Sequence, residues 1–241
     1  MLRSALSRAV TEEIVNRNVA SHVKLPNGRS RRRRRWTTDE ARIFLETATE
    51  RGYSLCVAFV LILVLGLRKG EVLGLHWSDV DLENAELSVE WQLQRVGGKL
   101  LLRETKTEAS DATLPLPDIC VAALRQRQVA QEADRVAAGR VWHKTDLVFT
   151  TKYGLPIEPR NLNRAFAECI RQAGVPYITV HDARRTCASL LAELGVHPRV
   201  VMQILRHADI AVTMEIYTEV VSSQTRDALK RLGDVLAEKA S

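Results

Sequence analysis

Cysteine is scarce in this chain, four among 241 residues, and Cys56, Cys120, Cys169 and Cys187 stand far apart with no Cys-x-x-Cys pair. That spacing excludes a disulfide framework or a cysteine-based metal site, and apolar neighbours make the four buried, reduced thiols. Long apolar runs are also absent. The longest, LCVAFVLILVLGL from Leu55 to Leu67, is shorter than the ~20 residues needed to span a bilayer, so it reads as a helix buried on all sides. The start of the chain lacks the apolar stretch of a secretory signal, with Arg3 and Arg8 soon followed by Glu12 and Glu13. No membrane partner and a cytoplasmic location are therefore expected.

Aromatic residues make up only 5% of the sequence against 46% hydrophobic residues in all, and Leu, Ala and Val recur at helical spacing. This argues for a mainly α protein with a small antiparallel β-sheet, an α+β fold, large enough for one domain plus a fragment. Acidic groups are outnumbered: the formal charge is +6 and the pI is near 9.3, which suits a polyanionic partner.

Apolar positions Leu2, Leu6, Val10, Ile14 and Val15 predict an amphipathic helix near residues 2–19. One such helix cannot bury its face alone, so residues 1–24 are expected to be the stub of a helical domain. Residues 25–36 read as a basic linker, with six arginines among Arg29 to Arg35. Arg31, Arg32, Arg33, Arg34 and Arg35 suit either a solvated connector or a strap that tracks DNA phosphates. Residues 37–241 read as the main domain. Thr38 and the acidic pair Asp39–Glu40 open a helix. Leu87, Val89 and Trp91 alternate with polar residues, Gly97-Gly98 makes a tight turn, and Lys99–Glu104 and Ala112–Leu116 complete a sheet. Helices then follow over 118–138, 158–173, 181–194, 198–205 and 223–238.

One stretch stands out chemically. In VHDARRTCASLL, helical spacing gathers Ala183, Cys187, Leu190, Leu191 and Leu194 on one face and His181, Arg184 and Arg185 on the adjoining one. Upstream, LGLRKGEVLGLHW closes the buried helix with Arg68 and places Glu71 three residues on. Downstream, ILRHADIAVTMEIYTEV sets His207 and Tyr217 ten residues apart. Taken singly, each of these residues also suits a packing or surface role.

Together, in this order, they resemble the catalytic domain of the tyrosine recombinase, or phage integrase, family. Four matches carry the resemblance over about residues 36–240: the Arg68 box, Lys106 in ETKTEASDATLPLP, the His181-x-x-Arg184 box and the segment ending at Tyr217. It implies a site-specific recombinase of a bacterial mobile element, acting at the nucleoid on duplex attachment sites as a tetramer, with an accessory bending or directionality factor. Tyr217 would attack the scissile phosphate to form a 3′-phosphotyrosyl link, conserving the bond energy so that no cofactor and no metal is called for. Arg68 and Arg184 would clamp the phosphate, Lys106 would protonate the leaving 5′ oxygen, His181 would handle the tyrosine proton and His207 would hydrogen-bond the phosphate.

Three positions depart from the family pattern. Arg185 stands where histidine is common, Ala183 where leucine is common, and Arg206 where glycine usually precedes the second histidine. Arg185 and Arg206 are candidate DNA contacts, and Arg206 is expected to meet either a backbone phosphate or an acidic neighbour. Family members usually carry a helical core-binding domain before the catalytic one, so a shortened form with weak recombination on its own is expected. The last helix, with Ala228, Leu229, Leu232, Val235 and Leu236 in a stripe, suits its own core or a neighbouring protomer. Two rival readings remain. CASLLAELGVHPRVVMQILRHADI also reads as a helix-turn-helix, which would make the chain a DNA-binding protein without chemistry. A type IB topoisomerase would share the chemistry without site preference.

Overall fold

A computed structural model of the chain describes residues 2–23, 34–105, 113–207, 209–211, 213–214 and 217. It separates into two units, Met1–Arg33 and Arg34–Ser241. The first holds helix α1 (Leu2–Thr11) and a 3-10 turn, Val19–His22. The helix is shorter than its apolar stripe predicts. Continuing it would set Glu12 and Glu13 at the negative end of the helix dipole, and Glu13 instead takes a left-handed φ of 57°. Asn18 ties the return, its amide donating to the Arg3 carbonyl and the Ser7 hydroxyl at 2.8 Å each. No residue of α1 is buried.

The second unit begins earlier than the linker composition predicts. Trp36 is 2% exposed. Its ring lies 4.8 Å from Phe44 and 5.7 Å from Phe166, and its indole N–H donates to the Pro176 carbonyl at 2.7 Å. Few as they are, the aromatics are thus concentrated, with Phe59 joining the same cluster. Each such pair adds about 0.5–1.5 kcal/mol beyond area burial. Helix α2 (Thr38–Glu50) is capped by Thr37, one residue before the expected cap, because Glu40 three positions on completes a reciprocal capping box.

Helix α3 (Cys56–Val64) is buried from Val57 to Leu63, as its uninterrupted apolar run requires. It packs against α2, against α4 (Lys69–Gly74) and against two later helices, α5 (Asp118–Ala138) and α7 (Val180–Glu193); α6 (Pro159–Ala173) lies on α2, and α8 (Pro198–Leu205) on α7. The strands are β1 (Val80–Asp81), β2 (Glu86–Leu87), β3 (Trp91–Val96), β4 (Lys99–Glu104) and β5 (Leu114–Pro115). They form two small antiparallel sheets rather than one: β1-β2-β5, and a β3-β4 hairpin turned by Gly97 and Gly98, both at positive φ. Leu87 and Val89 both point into the core, and between them Ser88 bonds back to Asp79, so the chain leaves one sheet before it starts the other. Among the described residues no helix is long and apolar enough to cross a membrane. The expected helix over 223–238 lies outside the described residues.

Candidate active site

The site is built where α3 and α8 end and α4 and α7 begin. After α3 the chain turns at Gly66, whose φ of 61° and close neighbour make it hard to replace: a Cβ there would clash with Leu205 Cδ2. The turn delivers Arg68 to the start of α4. Glu71, one helical turn on, accepts the Arg68 backbone N–H at 2.7 Å through Oε2 and the Arg68 Nη1 at 2.5 Å through Oε1. The i,i+3 pairing expected from the sequence is present, with the carboxylate 3% exposed and the guanidinium 43% exposed.

Glu71 has a second partner that the sequence spacing does not reveal. Arg206, 135 positions away, donates Nη2 to Glu71 Oε2 at 2.6 Å. Of the two partners expected for Arg206, the structure gives it the acidic one, and the side chain is fully buried. Its backbone closes α8 in the left-handed region, φ 52° and ψ 49°, and its carbonyl accepts Arg68 Nη2 at 3.1 Å. Burial alone would push the Glu71 carboxyl up; the Arg206 and Arg68 guanidiniums, with the hydrogen bonds from Arg68, outweigh it and hold the group below its ordinary value.

Arg184, in the first turns of α7, is also buried, its two Nη groups donating to the carbonyls of Gly66 and Leu205. Burial, and next the charge of Arg68, push it down to about 9, still above neutrality, so it remains a cation at pH 7. Asp182 closes a capping box with Thr179 that fixes the start of this helix, and His181 beside it is exposed. His207, just past α8, is half-buried with Nδ1 3.0 Å from the Thr213 hydroxyl. Burial, then the charges of Arg184, Arg68 and Arg206, push its imidazole down to about 4, so it is neutral at pH 7.

Arg68, His181 and Arg184 all line the wall of an open cavity of about 910 Å³, as do Lys69, Arg95 and Arg160. These last three cations carry no motif and escaped the sequence reading; only their common sign hinted at them. Lys69 reaches Asn163 on α6 at 3.4 Å, and Arg95 pairs with Glu158 at 3.1 Å.

Tyr217 is placed apart from that wall. Its ring is 8% exposed in a separate small core with Cys187, Ala188, Ala192, Val201 and Leu205. Its hydroxyl donates to the carbonyl of Val196, beyond the C-terminal end of α7. Along that helix Arg184 and the last residue, Glu193, are separated by about 13 Å at ~1.5 Å per residue. Lys106 lies outside the described residues, as do Arg31, Arg32 and Arg33. Arg34 lies 3.6 Å from Glu40, and Arg35 donates to the Ser189 hydroxyl on α7 at 2.8 Å. Arg185 is half-buried on α7.

Comparison with known proteins adds to this geometry. The profile of the phage integrase family matches residues 34–224. A "Tyrosine recombinase XerC-like" protein of Caldanaerobacter subterraneus subsp. tengcongensis is 34% identical over 197 residues, covering 77% of this chain and 50% of its own length. An "Integrase" of Streptomyces ambofaciens is 32% identical, covering 90% of this chain and 57% of itself. The chain therefore spans only about half of the curated relatives it matches. Among solved structures, the Tn1549 transposon integrase in complex with transposon right end DNA superposes with a TM-score of 0.77 at 20% identity, over 96% of this chain and 76% of that one. The XerA recombinase does so at 0.63 and 24% identity, over 82% and 64%. The likeness in fold is that of tyrosine recombinase catalytic domains, and the match over 34–224 shows that the chain belongs to the phage integrase family.

Proposed function

We propose that this chain is a site-specific recombinase that cuts and rejoins duplex DNA through a covalent bond to Tyr217. The observation that carries this reading is the wall of the cavity, where Arg68, His181 and Arg184 come together from distant parts of the chain. A phosphodiester seated there would meet one half-exposed guanidinium already oriented by Glu71, and Arg184 would join it on releasing the carbonyls of Gly66 and Leu205. In the reaction the Tyr217 oxygen bonds to phosphorus, the bond from phosphorus to the 5′ oxygen breaks, and the tyrosine proton passes to His181. Lys106 gives the 5′ oxygen its proton. The reverse sequence, with a 5′ hydroxyl from another strand, rejoins the DNA. Neutral His207 would hydrogen-bond a non-bridging oxygen.

Tyr217 has to leave its bond to Val196 before it can attack. On this reading the DNA-free chain would hold its phosphate cluster assembled and its nucleophile withdrawn. Arg31 to Arg35, Arg185 and the cavity cations Lys69, Arg95 and Arg160 would hold flanking backbone. Tetrameric assembly on DNA, an accessory bending or directionality factor and a bacterial nucleoid location follow from this reading.

The test is a nicked suicide duplex carrying the attachment site, incubated with the protein and resolved in SDS. A protein–DNA band that disappears in Tyr217→Phe is the expected result. DNA binding with no such band, even with high protein and long incubation, would instead favour the helix-turn-helix reading, binding without chemistry.

A further inference from the structure

Arg206 occupies a position that suits it poorly. A left-handed residue that closes a helix is ordinarily glycine, because a Cβ there crowds the following carbonyl. Here an arginine accepts that conformation at φ 52°, and its guanidinium is buried without reaching the cavity. The backbone bond it makes, from Arg68 Nη2 to its carbonyl, is one that any residue would supply. The side chain must therefore be doing something that the backbone does not.

The charges show what that is. Glu71 is buried and touches Arg68 at 2.5 Å on one oxygen and Arg206 at 2.6 Å on the other. With Arg68 alone, the carboxylate would cancel the guanidinium that faces the cavity, leaving a neutral pair to meet a phosphate. With Arg206 on its far side, the trio carries one excess positive charge. Arg206 and Glu71 are both buried, while Arg68 is 43% exposed, so Arg68 is the member through which that charge is presented.

We propose that Arg206 is a positioning residue whose guanidinium offsets the charge of Glu71, so that Glu71 can orient Arg68 without neutralising it toward a phosphate. This rests on reading Arg68 as the phosphate clamp.

The test is titration of the full chain with inorganic phosphate, followed by NMR through the Arg68 Nε–H resonance, assigned with Arg68→Lys. Arg206→Met keeps the left-handed backbone and the bulk but removes the charge; it should weaken phosphate binding about tenfold, the order expected for a unit charge lost within roughly 10 Å of a partly buried site. Arg206→Lys should stay close to wild type. The double variant Glu71→Gln/Arg206→Met removes the buried pair as a unit and should recover most of the lost affinity, which a residue of purely structural value would not allow. Unchanged affinity in Arg206→Met, or a double variant as weak as the single one, would overturn the proposal. Should Arg206→Met not fold, Arg206→Gln carries the same comparison with Arg206→Lys. Absence of any phosphate effect at Arg68 in the wild type would overturn the clamp reading itself. Phosphate binding needs no nucleophile, so the titration decides this question whatever the covalent assay shows.

Discussion

The two halves of the proposed chemistry are built in opposite ways. Around Arg68 the chain assembles buried charge: Glu71, Arg206 and Arg184 are each almost wholly removed from water, the carbonyls of Gly66 and Leu205 accept from Arg184, and that of Arg206 accepts from Arg68. Around Tyr217 it uses small apolar residues and one hydrogen bond. Charge clusters of the first kind lose a great deal when one member goes, because the others are left buried and uncompensated. Releasing the docked ring would cost the burial of one aromatic side chain, about 1.5–3 kcal/mol, and one hydrogen bond. On the proposed reading, phosphate recognition would be prepared around Arg68, whereas control of the reaction would fall on Tyr217.

Substitutions that strike each half should therefore differ in size. The largest effect is expected for Glu71→Ala, which leaves Arg206 buried with no counter-charge; loss of about 3–5 kcal/mol of stability in urea denaturation is the expected outcome. A loss under 1 kcal/mol would mean that the cluster tolerates an unpaired cation and is no more sensitive than the pocket around Tyr217. Next comes Gly66→Ala. Its Cβ would meet Leu205 Cδ2 at a left-handed position, and the strain and crowding together should destabilise by about 2–4 kcal/mol. On the other side, Tyr217→Phe loses only the hydroxyl bond to Val196 and leaves one carbonyl unsatisfied, so about 1–2 kcal/mol is expected in the same measurement. An effect as large as that of Glu71→Ala would show that the tyrosine is a fixed part of the core.

What the sequence made legible follows the same division. Helices α5 and α8 have the predicted bounds, since Asp118 and Pro198 open them in register with their apolar periods and Gly139 stops α5, although Arg206 is no ordinary stop for α8. The pair Arg68–Glu71 was readable because its partners are one turn apart. Arg206 was not: the bond to Glu71 joins residues 135 positions apart, and nothing local distinguishes an arginine that turns inward from one that faces DNA. Trp36 was hidden by its arginine-rich neighbours, although its partners Phe44 and Phe166 lie in ordinary apolar stripes. The docking of Tyr217 depends on two helices meeting to form a small core, which periodicity does not specify. Family resemblance names the residues but says nothing of which state they occupy.

The smallest expected effect concerns pH and touches only the charged half. His207 is held down to about 4 by burial and by three neighbouring arginines, whereas in the unfolded chain it titrates near its ordinary value of 6.5. As pH falls from 6.5 toward 4 the unfolded chain takes up a proton that the folded chain refuses. Stability is thus full above 6.5 and declines through that window. Glu71, also held below its ordinary 4.5, adds its own loss from about 4.5 downward, where the unfolded carboxylate takes up a proton that the folded one still refuses. Between pH 7 and 5 the decline due to His207 should be about 1 kcal/mol, allowing for partial access of water to the ring. Replacing His207 with Gln should flatten the wild-type curve over that interval and leave the steeper fall below pH 4.5 in place. If both curves keep the same slope from 7 to 5, burial and the three arginines together do not hold His207 below its ordinary value. The surroundings of the cluster would then be wetter and less positive than its geometry implies.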